Sequence, residues 1–473
     1  MKKVSKKIKF LAVVLGSLII SSSAFAVDLT IDNSAVKRAT AGQFDTDSDR
    51  VNAKDIFDLE RSFFSAGYLG STGIINGGNV IDPSGNQVGG NGTTTAAALD
   101  NGVQGAFGVA LPGGMYLGFA AAYNLKDKAD YTTDKDGNIS TPNNKWTVNS
   151  TGNFILAFRI NEMVALHYNL KIGSSDYPTV SYSINHTVDK TLQNDYKTYT
   201  HNAYWNHEIA AAVKLGEHKL TVPISIDIYA NNTKQKGKVA NTDVDYANYT
   251  GVDYVALNLN PEFFLSLPMG PMTGINMGVN FGVGLNNNVG QNGKNGTTEY
   301  KTTQKALRMN VGVWASFPME WSLGNDQVSL AMEPQINLNF GVNNYGKVEE
   351  FLNGNKQTTL TGNYAYPNGN DYFVFSPSIE LPIGTLWRPV EWYELRFGTA
   401  LILGANVSST QSKDANGDNA NKTTGYDTYS GIAGFFGMGF IVGEDFNIDL
   451  FAEVGTLSFI NMNFGGQLTY RFN

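Results

Sequence analysis

Cysteine is absent from the 473 residues, proline occurs only 14 times, and charged side chains make up just 16% of the chain. Without cysteine there is no disulfide framework, no thiolate ligand and no thiol nucleophile. An ordinary soluble domain carries about 25% charged residues, so a surface rich in Lys and Glu is excluded. The charge that is present is acidic, with a net value of −8, which argues against a nucleic-acid binder. Long apolar runs are also missing: beyond the amino terminus nothing reaches the 18 or so consecutive apolar residues of a membrane helix. Disorder is excluded by 23 tyrosines and 27 phenylalanines. What the chain does have is glycine, 51 residues, and an equal number of asparagines, the residues of turns.

The amino terminus reads as an export signal. Lys2, Lys3, Lys6, Lys7 and Lys9 precede an apolar run from Phe10 to Ile20, and Ala24-Phe25-Ala26 is a small-x-small cleavage site. The expected signal peptide is 1–26, and its removal takes five lysines and no acid, leaving a more acidic exported chain. Residues 27–60 are expected to form a short periplasmic or plug-like segment. Within it, Ala53–Phe64 has apolar residues at Ile56, Leu59 and Phe63, the pattern of a short helix on the periplasmic side or partly inside a barrel.

From residue 61 to 473 the pattern has a period of two. Val328–Phe340 puts Val, Leu, Met, Ile, Leu and Phe on one face and Ser, Ala, Glu, Gln and Asn on the other, and Ile275–Leu285 and Phe446–Val454 do the same. That is a strand pattern. Short and long connections take turns between such segments. Short ones fall at Pro112-Gly-Gly, Asn161-Glu, Gly216-Glu-His, Pro268-Met-Gly-Pro, 318–327, 382–392 and Gly443-Glu-Asp, and long ones near 76–98, 125–146, 173–200, 230–249, 286–303, 341–370 and 404–427. Seven long loops on alternate connections only is the arrangement of a transmembrane antiparallel up-and-down β-barrel, with short periplasmic turns and long extracellular loops. A sandwich keeps turns short at both ends, and no propeller repeat is present. In lipid every backbone polar group must pair within the protein, so the sheet has to close.

Sixteen strands are expected. The first, near 63–74, alternates ambiguously, and losing it gives fourteen. Leu111-Pro112, Leu267-Pro268, Phe317-Pro318 and Leu381-Pro382 are read as strand ends, because proline cannot donate to a ladder. Trp321, Trp387 and Trp392 fall in the lower turns, where a periplasmic aromatic girdle is expected.

The last segment, Asn461–Asn473, has alternating apolar side chains at Phe464, Leu468, Tyr470 and Phe472. It resembles the carboxy-terminal sorting signal of Gram-negative outer-membrane proteins, from which it departs by the extra Asn473. With the signal peptide and the loop alternation, the chain resembles porin-like outer-membrane proteins, and Gly42–Asp49 is similar to a motif of spirochaete surface barrels. The resemblance implies location in the outer membrane, insertion by the barrel-assembly machinery, lipid and small polar solutes as partners, and a possible homotrimer. It implies no cofactor.

With large apolar side chains outward, the charges on the strands fall on the inward phase. The expected pore-lining acids are Glu208, Asp227, Glu262, Glu333, Glu380, Glu394, Asp449 and Glu453, and the bases are Arg159, Lys171, Lys214, Arg308, Arg396 and Arg471. Acids outnumber bases, which predicts mild cation preference in a water-filled channel for passive diffusion of small polar solutes. The competing arrangement is a plugged barrel whose charges pair across its wall. Inward Gly278, Gly282, Gly284, Ala120, Ala122, Gly437 and Gly439 are small enough to pack against an inserted segment.

Other constellations are weak. Asp45-x-Asp47-x-Asp49 lacks the Gly and Glu that a calcium loop needs and reads as a solvated acidic turn. The histidines show no metal spacing along any one strand, and no nucleophile motif appears, so neither a metal site nor an enzyme is expected. Besides the porin, two functions remain: a surface antigen or adhesin using the loops, and a FadL-like transporter of hydrophobic compounds. The last requires residues 27–60 inside the barrel and a greasy pocket.

Overall fold

A computed structural model describes residues 37, 39–41, 43–73, 100–130, 144–173, 180–189, 194–239, 242–295, 298–324, 327–360, 370–413, 419–443, 445–455 and 461–472. The expected signal peptide and the 76–98 loop lie outside these residues.

Sixteen antiparallel strands close into one barrel. They are β1 Ser62–Gly73, β2 Asp100–Ala110, β3 Tyr116–Asp130, β4 Asn144–Arg159, β5 Val164–Ile172 resumed at Val180–Asp189, β6 Asn194–Leu215, β7 His218–Val239 and β8 Thr242–Leu259 resumed at Glu262–Met269. The second half is β9 Met272–Asn295, β10 Thr298–Ser316 resumed at Met319–Leu323, β11 Val328–Met332 resumed at Gln335–Leu352, β12 Asn370–Val390, β13 Tyr393–Lys413, β14 Asn419–Val442, β15 Phe446–Gly455 and β16 Asn461–Phe472. Each strand pairs with its sequence neighbours, and β1 closes on β16 from Ser62↔Phe472 to Gly73↔Asn461. The ambiguous first strand is therefore the one that seals the cylinder, and fourteen strands is excluded.

The wall is inside-out relative to a soluble protein. Leu156, Ile209, Leu257, Leu285 and Ile379 are 50–66% exposed, while their chain neighbours Ala157, Ala210, Ala256 and Ser378 are buried. Such an apolar belt on a closed sheet is a lipid-facing surface, and it places the barrel in the outer membrane. Phe464 and Phe472 lie in this belt, on the phase shared by Leu468 and Tyr470.

The long loops are largely ladder. Pairing continues to Asp189↔Asn194, Val239↔Thr242, Asn295↔Thr298 and Lys413↔Asn419. Alternation did not reveal these strands because above the membrane neither face has to be apolar, while their Thr and Tyr still favour extended backbone. The hairpin end of β11 turns at Asn353-Gly354, both with positive φ (48° and 77°), which is what a tight two-residue hairpin requires.

The proline expectation needs correction. Only Leu111-Pro112 ends its strand. Pro268 sits in a bulge of β8, Phe317-Pro318 interrupts β10, and Leu381-Pro382 lies within β12. Pro382 faces the gap at Glu333-Pro334 in β11, where the ladder skips from Gln335↔Glu380 to Met332↔Ile383, so the missing donors of both prolines fall at one irregularity. Likewise Trp321 and Trp387 stand in strands extended beyond the expected turns. Trp392 is in a turn, 60% exposed, and Trp387 is exposed above it.

The core lies inside the cylinder. Ala39, Val51, Ala53, Ile56, Phe57 and Leu59, with the first-strand residue Phe63, pack against Ala106, Ala120, Ala122, Ala157, Ala165, Ala210 and Ala212 of the first six strands. Ile56–Asp58 forms a single 3-10 turn where the sequence predicts a short helix. Alanines line this half of the wall because an inserted segment takes the space that larger side chains would fill. Opposite, a Cβ at Gly398 would meet Thr40 and Ala41, and one at Gly384 would meet Thr40 and Gln43. Ala120, Ala122 and Gly437 thus serve the inserted segment, as their size implies. Gly278, Gly282, Gly284 and Gly439 instead make room for Trp314, Asn310, Tyr254 and Arg396 of the wall itself.

Two outcomes follow from this packing. Ile209→Arg should destabilise the barrel in liposomes by about 2–4 kcal/mol in reversible urea titrations, whereas Asn310→Arg on the inward phase should cost less than about 1 kcal/mol. Gly398→Leu should leave a heat-modifiable barrel but overpack residues 40–41 by about 1–3 kcal/mol, seen as faster protease cleavage of the inserted segment.

Candidate functional site: the plugged lumen

The described residues between 37 and 61 run across the interior, held by the wall at successive points. Near the start, the Lys37 ammonium pairs with Asp45 at 3.1 Å, and Thr40 closes a turn by accepting from the amides of Gln43 and Phe44. An acidic turn follows. The Asp49 carboxylate accepts from the Thr46 amide at 2.7 Å and from its hydroxyl at 2.9 Å. Asp47 accepts from Arg471 Nε on β16 at 2.6 Å, and Gln467 donates to Ser48 at 2.7 Å. The reading of this turn as solvated is wrong: Asp49 is 3% exposed and Asp47 is ion-paired. It is a docking element.

The segment then reaches the far wall. The Ala53 amide donates to His167 Nδ1 on β5 at 3.0 Å, and His167 Nε2 lies 3.0 Å from the Glu208 carboxylate on β6. Accepting at Nδ1 leaves the proton on Nε2, directed at Glu208. Lys54 pairs with Glu262 on β8 at 3.0 Å. Burial acts against the Lys54 charge, but Glu262 and Asp55 outweigh it and hold its pKa above the ordinary lysine value. Arg159 on β4 donates to the carbonyls of Ile56, Phe57 and Leu59 at 2.9–3.1 Å, capping the 3-10 turn. Asp58 accepts from Lys219 on β7 at 2.6 Å, and Arg61 reaches Asp445 at 2.5 Å as the chain enters β1. Anchors therefore come from β4, β5, β7, β8 and β16 and from the turn before β15.

The expected pore-lining charges separate into groups. Arg159, Glu262 and Arg471 bind the inserted segment directly, and Glu208 does so through His167. Glu394, Arg396 and Asp449 form a buried cluster: Arg396 lies 2.6 Å from Glu394 and 2.8 Å from Asp449, and Arg388 adds a second contact to Glu394. Glu333 is held by Asn276 and Ser316, and Glu380 by Asn337. Lys171 stands in register with Asn206, and Lys214 with Lys219. The Glu453 side chain lies outside the description. Glu262, Glu394, Arg396, Asp449 and Arg471 are thus ion-paired, and Arg159, Glu208, Glu333 and Glu380 are held by hydrogen bonds.

Asp227 and Arg308 have a different setting. Both line a cavity of about 400 Å³ with Tyr204, Tyr254, Asn258, Asn310, Asn343 and Tyr372. Asp227 lies eight residues along β7 from Lys219, toward the extracellular end, so the cavity sits beyond the inserted segment. Asp227 accepts from the Tyr204 hydroxyl at 2.8 Å, Asn206 at 2.5 Å and Asn258 at 2.7 Å. The Arg308 guanidinium lies 5.2 Å from the Tyr254 ring centre.

Sequence reasoning missed His167, Lys54, Lys219 and the three cavity tyrosines. His167 pairs diagonally across two strands, which no spacing within one strand reveals. Its position on the inward phase, between outward Leu166 and Tyr168, was the available signal. Among the described residues no group of three or more potential ligands forms a metal site.

No family model matches the chain, and no curated protein sequence does. Several solved barrels are similar over most of their length. A FadL homologue of Pseudomonas aeruginosa is 10% identical, with 95% of this chain and 100% of that one covered and a TM-score of 0.38. The Ralstonia pickettii toluene transporter TbuX is 11% identical, with 93% and 98% covered and a TM-score of 0.36. The Pseudomonas putida toluene transporter TodX is 10% identical, with 94% and 97% covered and a TM-score of 0.33. Identities and scores this low carry no argument about substrate. What the chain can be said to be rests on its own geometry: an outer-membrane β-barrel with its amino-terminal segment folded into the lumen.

Proposed function

We propose that the protein is a plugged, compound-selective uptake channel of the outer membrane. It corresponds to the FadL-like reading of the sequence more than to a general-diffusion porin. The observation that carries this is the inserted segment, anchored through Asp47, Ala53, Lys54, the Ile56–Leu59 carbonyls and Asp58 to strands around the cylinder. A freely conducting pore needs an open lumen, whereas here a solute entering from outside meets a cavity and then a strap. Passage requires the strap to yield. Its anchors are ion pairs and single hydrogen bonds backed by a small alanine-lined apolar contact, an attachment weaker than the ladder around it. Substrate selection falls to the cavity, whose three tyrosine rings suit a compound with a compact apolar body.

A second reading, passage of small polar solutes, is favoured by Asp227, Asn258 and Asn310 in the same lining. The two differ in what a reconstituted protein does with the strap in place. Intact protein in planar bilayers should show small or rare conductance steps, and a variant lacking residues 37–60 should conduct several-fold more. Equal conductance with and without the strap would overturn the plugged reading in favour of an open porin. Lys54→Glu should raise the open probability, and Lys54→Glu combined with Glu262→Lys should restore the closed behaviour. Failure of the swap to restore closure would show that this ion pair does not latch the strap.

A further inference from the structure

The lumen cavity has an unbalanced demand for hydrogen bonds. Asp227, its acid, receives three donors from Tyr204, Asn206 and Asn258, so its oxygens are already hydrogen-bonded by the wall. Arg308, its base, is not. Among the described residues no carboxylate lies within ion-pairing distance of the guanidinium and no acceptor takes its N–H groups; its one partner is the face of Tyr254. A guanidinium offers five donors in a planar fork suited to a carboxylate. Arg308 is half-buried and its fork has no protein acceptor among the described residues, whereas other inward arginines are capped by carboxylates or carbonyls.

The surroundings of Arg308 keep the fork accessible. It stands in register with Gly284 on β9 and Asn343 on β11. Since Gly284 has no side chain, the Tyr254 ring reaches over it from β8; a Cβ at Gly284 would come within 2.8 Å of that ring. The glycine thus lets an aromatic face hold the guanidinium from one side, while Asn310 and Asn343 beside it are neutral amides and the cavity's acid, Asp227, stands three strands away in the same row, its oxygens engaged by the wall. Cation–π contact orients a guanidinium without satisfying its in-plane donors. Tyr204 and Tyr372 add aromatic surface to the same cavity.

We propose that this cavity is a binding site for small organic carboxylates with a flat apolar body, the carboxylate engaging Arg308 and the body lying against the tyrosine rings. The assignment rests on the selective-channel reading and supplies its substrate class. A cavity of about 400 Å³ accommodates a single-ring acid with its first waters. The charge is bound and the ring confers preference, so both parts of the ligand are required.

Benzoate is the probe, titrated calorimetrically into the full-length protein in detergent. The intact protein should bind benzoate at least tenfold more tightly than either benzyl alcohol, which lacks the charge, or acetate, which lacks the ring. Arg308→Gln should weaken benzoate at least tenfold and leave benzyl alcohol unchanged; Arg308→Lys should fall between. Tyr254→Leu, which leaves the charge in place, should weaken benzoate several-fold, and it guards against misfolding of the arginine variants. Equal binding of benzoate and benzyl alcohol, undiminished benzoate binding by Arg308→Gln, or no benzoate binding by the intact protein would overturn the assignment. These outcomes are independent of the strap: benzoate binding by a protein that conducts equally with and without residues 37–60 would keep the site and discard the plugged channel, while strap-dependent conductance with charge-blind binding would do the reverse.

Discussion

Pairing of backbone amides in a medium without water governs everything else in this molecule. An N–H or C=O left unpaired in hydrocarbon costs several kcal/mol, so the sheet must meet itself, as it does where β1 registers on β16 along its length. Closure sets the two faces. The outer one carries leucine, isoleucine and phenylalanine, and the inner one, cut off from lipid, accepts Glu394, Arg396, Asp449, Gln467 and Thr469 at 5% exposure or less. A cylinder of sixteen strands then has an interior that side chains alone do not fill, and the chain fills part of it with its own amino-terminal segment.

That filling explains the composition of the wall. Alanine and glycine concentrate where residues 39–59 press against it, on β2–β6 on one side and β12–β14 on the other, and polar hooks stand between: Arg159, His167, Lys219, Glu262 and Arg471. Beyond the segment the inward residues change to tyrosine and asparagine, and the cavity appears. One barrel thus contains an apolar, small-residue zone that holds a strap and a polar, aromatic zone that lines a cavity. The division falls along the axis of the cylinder.

The architecture was legible in the sequence because lipid imposes a strict alternation that residue types must follow. Sixteen strands and their order came from that rule together with the alternation of short and long connections. It failed where lipid ends. The tall hairpins above the membrane carry polar residues on both faces and read as loops, and Pro268, Pro318 and Pro382 read as strand ends although the ladder continues past them. The strap was harder still. Apart from the short helical pattern that begins at Ala53, residues 37–61 have no period, and their partners are scattered over the whole chain, so Asp47 with Arg471 or Ala53 with His167 are contacts that only closure brings together. The sizes of Ala120, Ala122 and Gly437 were the visible trace of an inserted segment, and its acidic turn, read as solvated, is one of its docking points.

Residence of the strap in the lumen is the claim on which the proposed selectivity depends. Amide hydrogen exchange on the intact protein in lipid nanodiscs tests it directly, because the amides of Asp49, Ala53, Ile56 and Leu59 each have a partner within the barrel interior. The account predicts that peptides spanning residues 44–60 exchange orders of magnitude more slowly than the same sequence as a free peptide, and that they become fast when Arg159 and Lys54 are both replaced by alanine. Exchange of those peptides at free-peptide rates in the intact protein would contradict it.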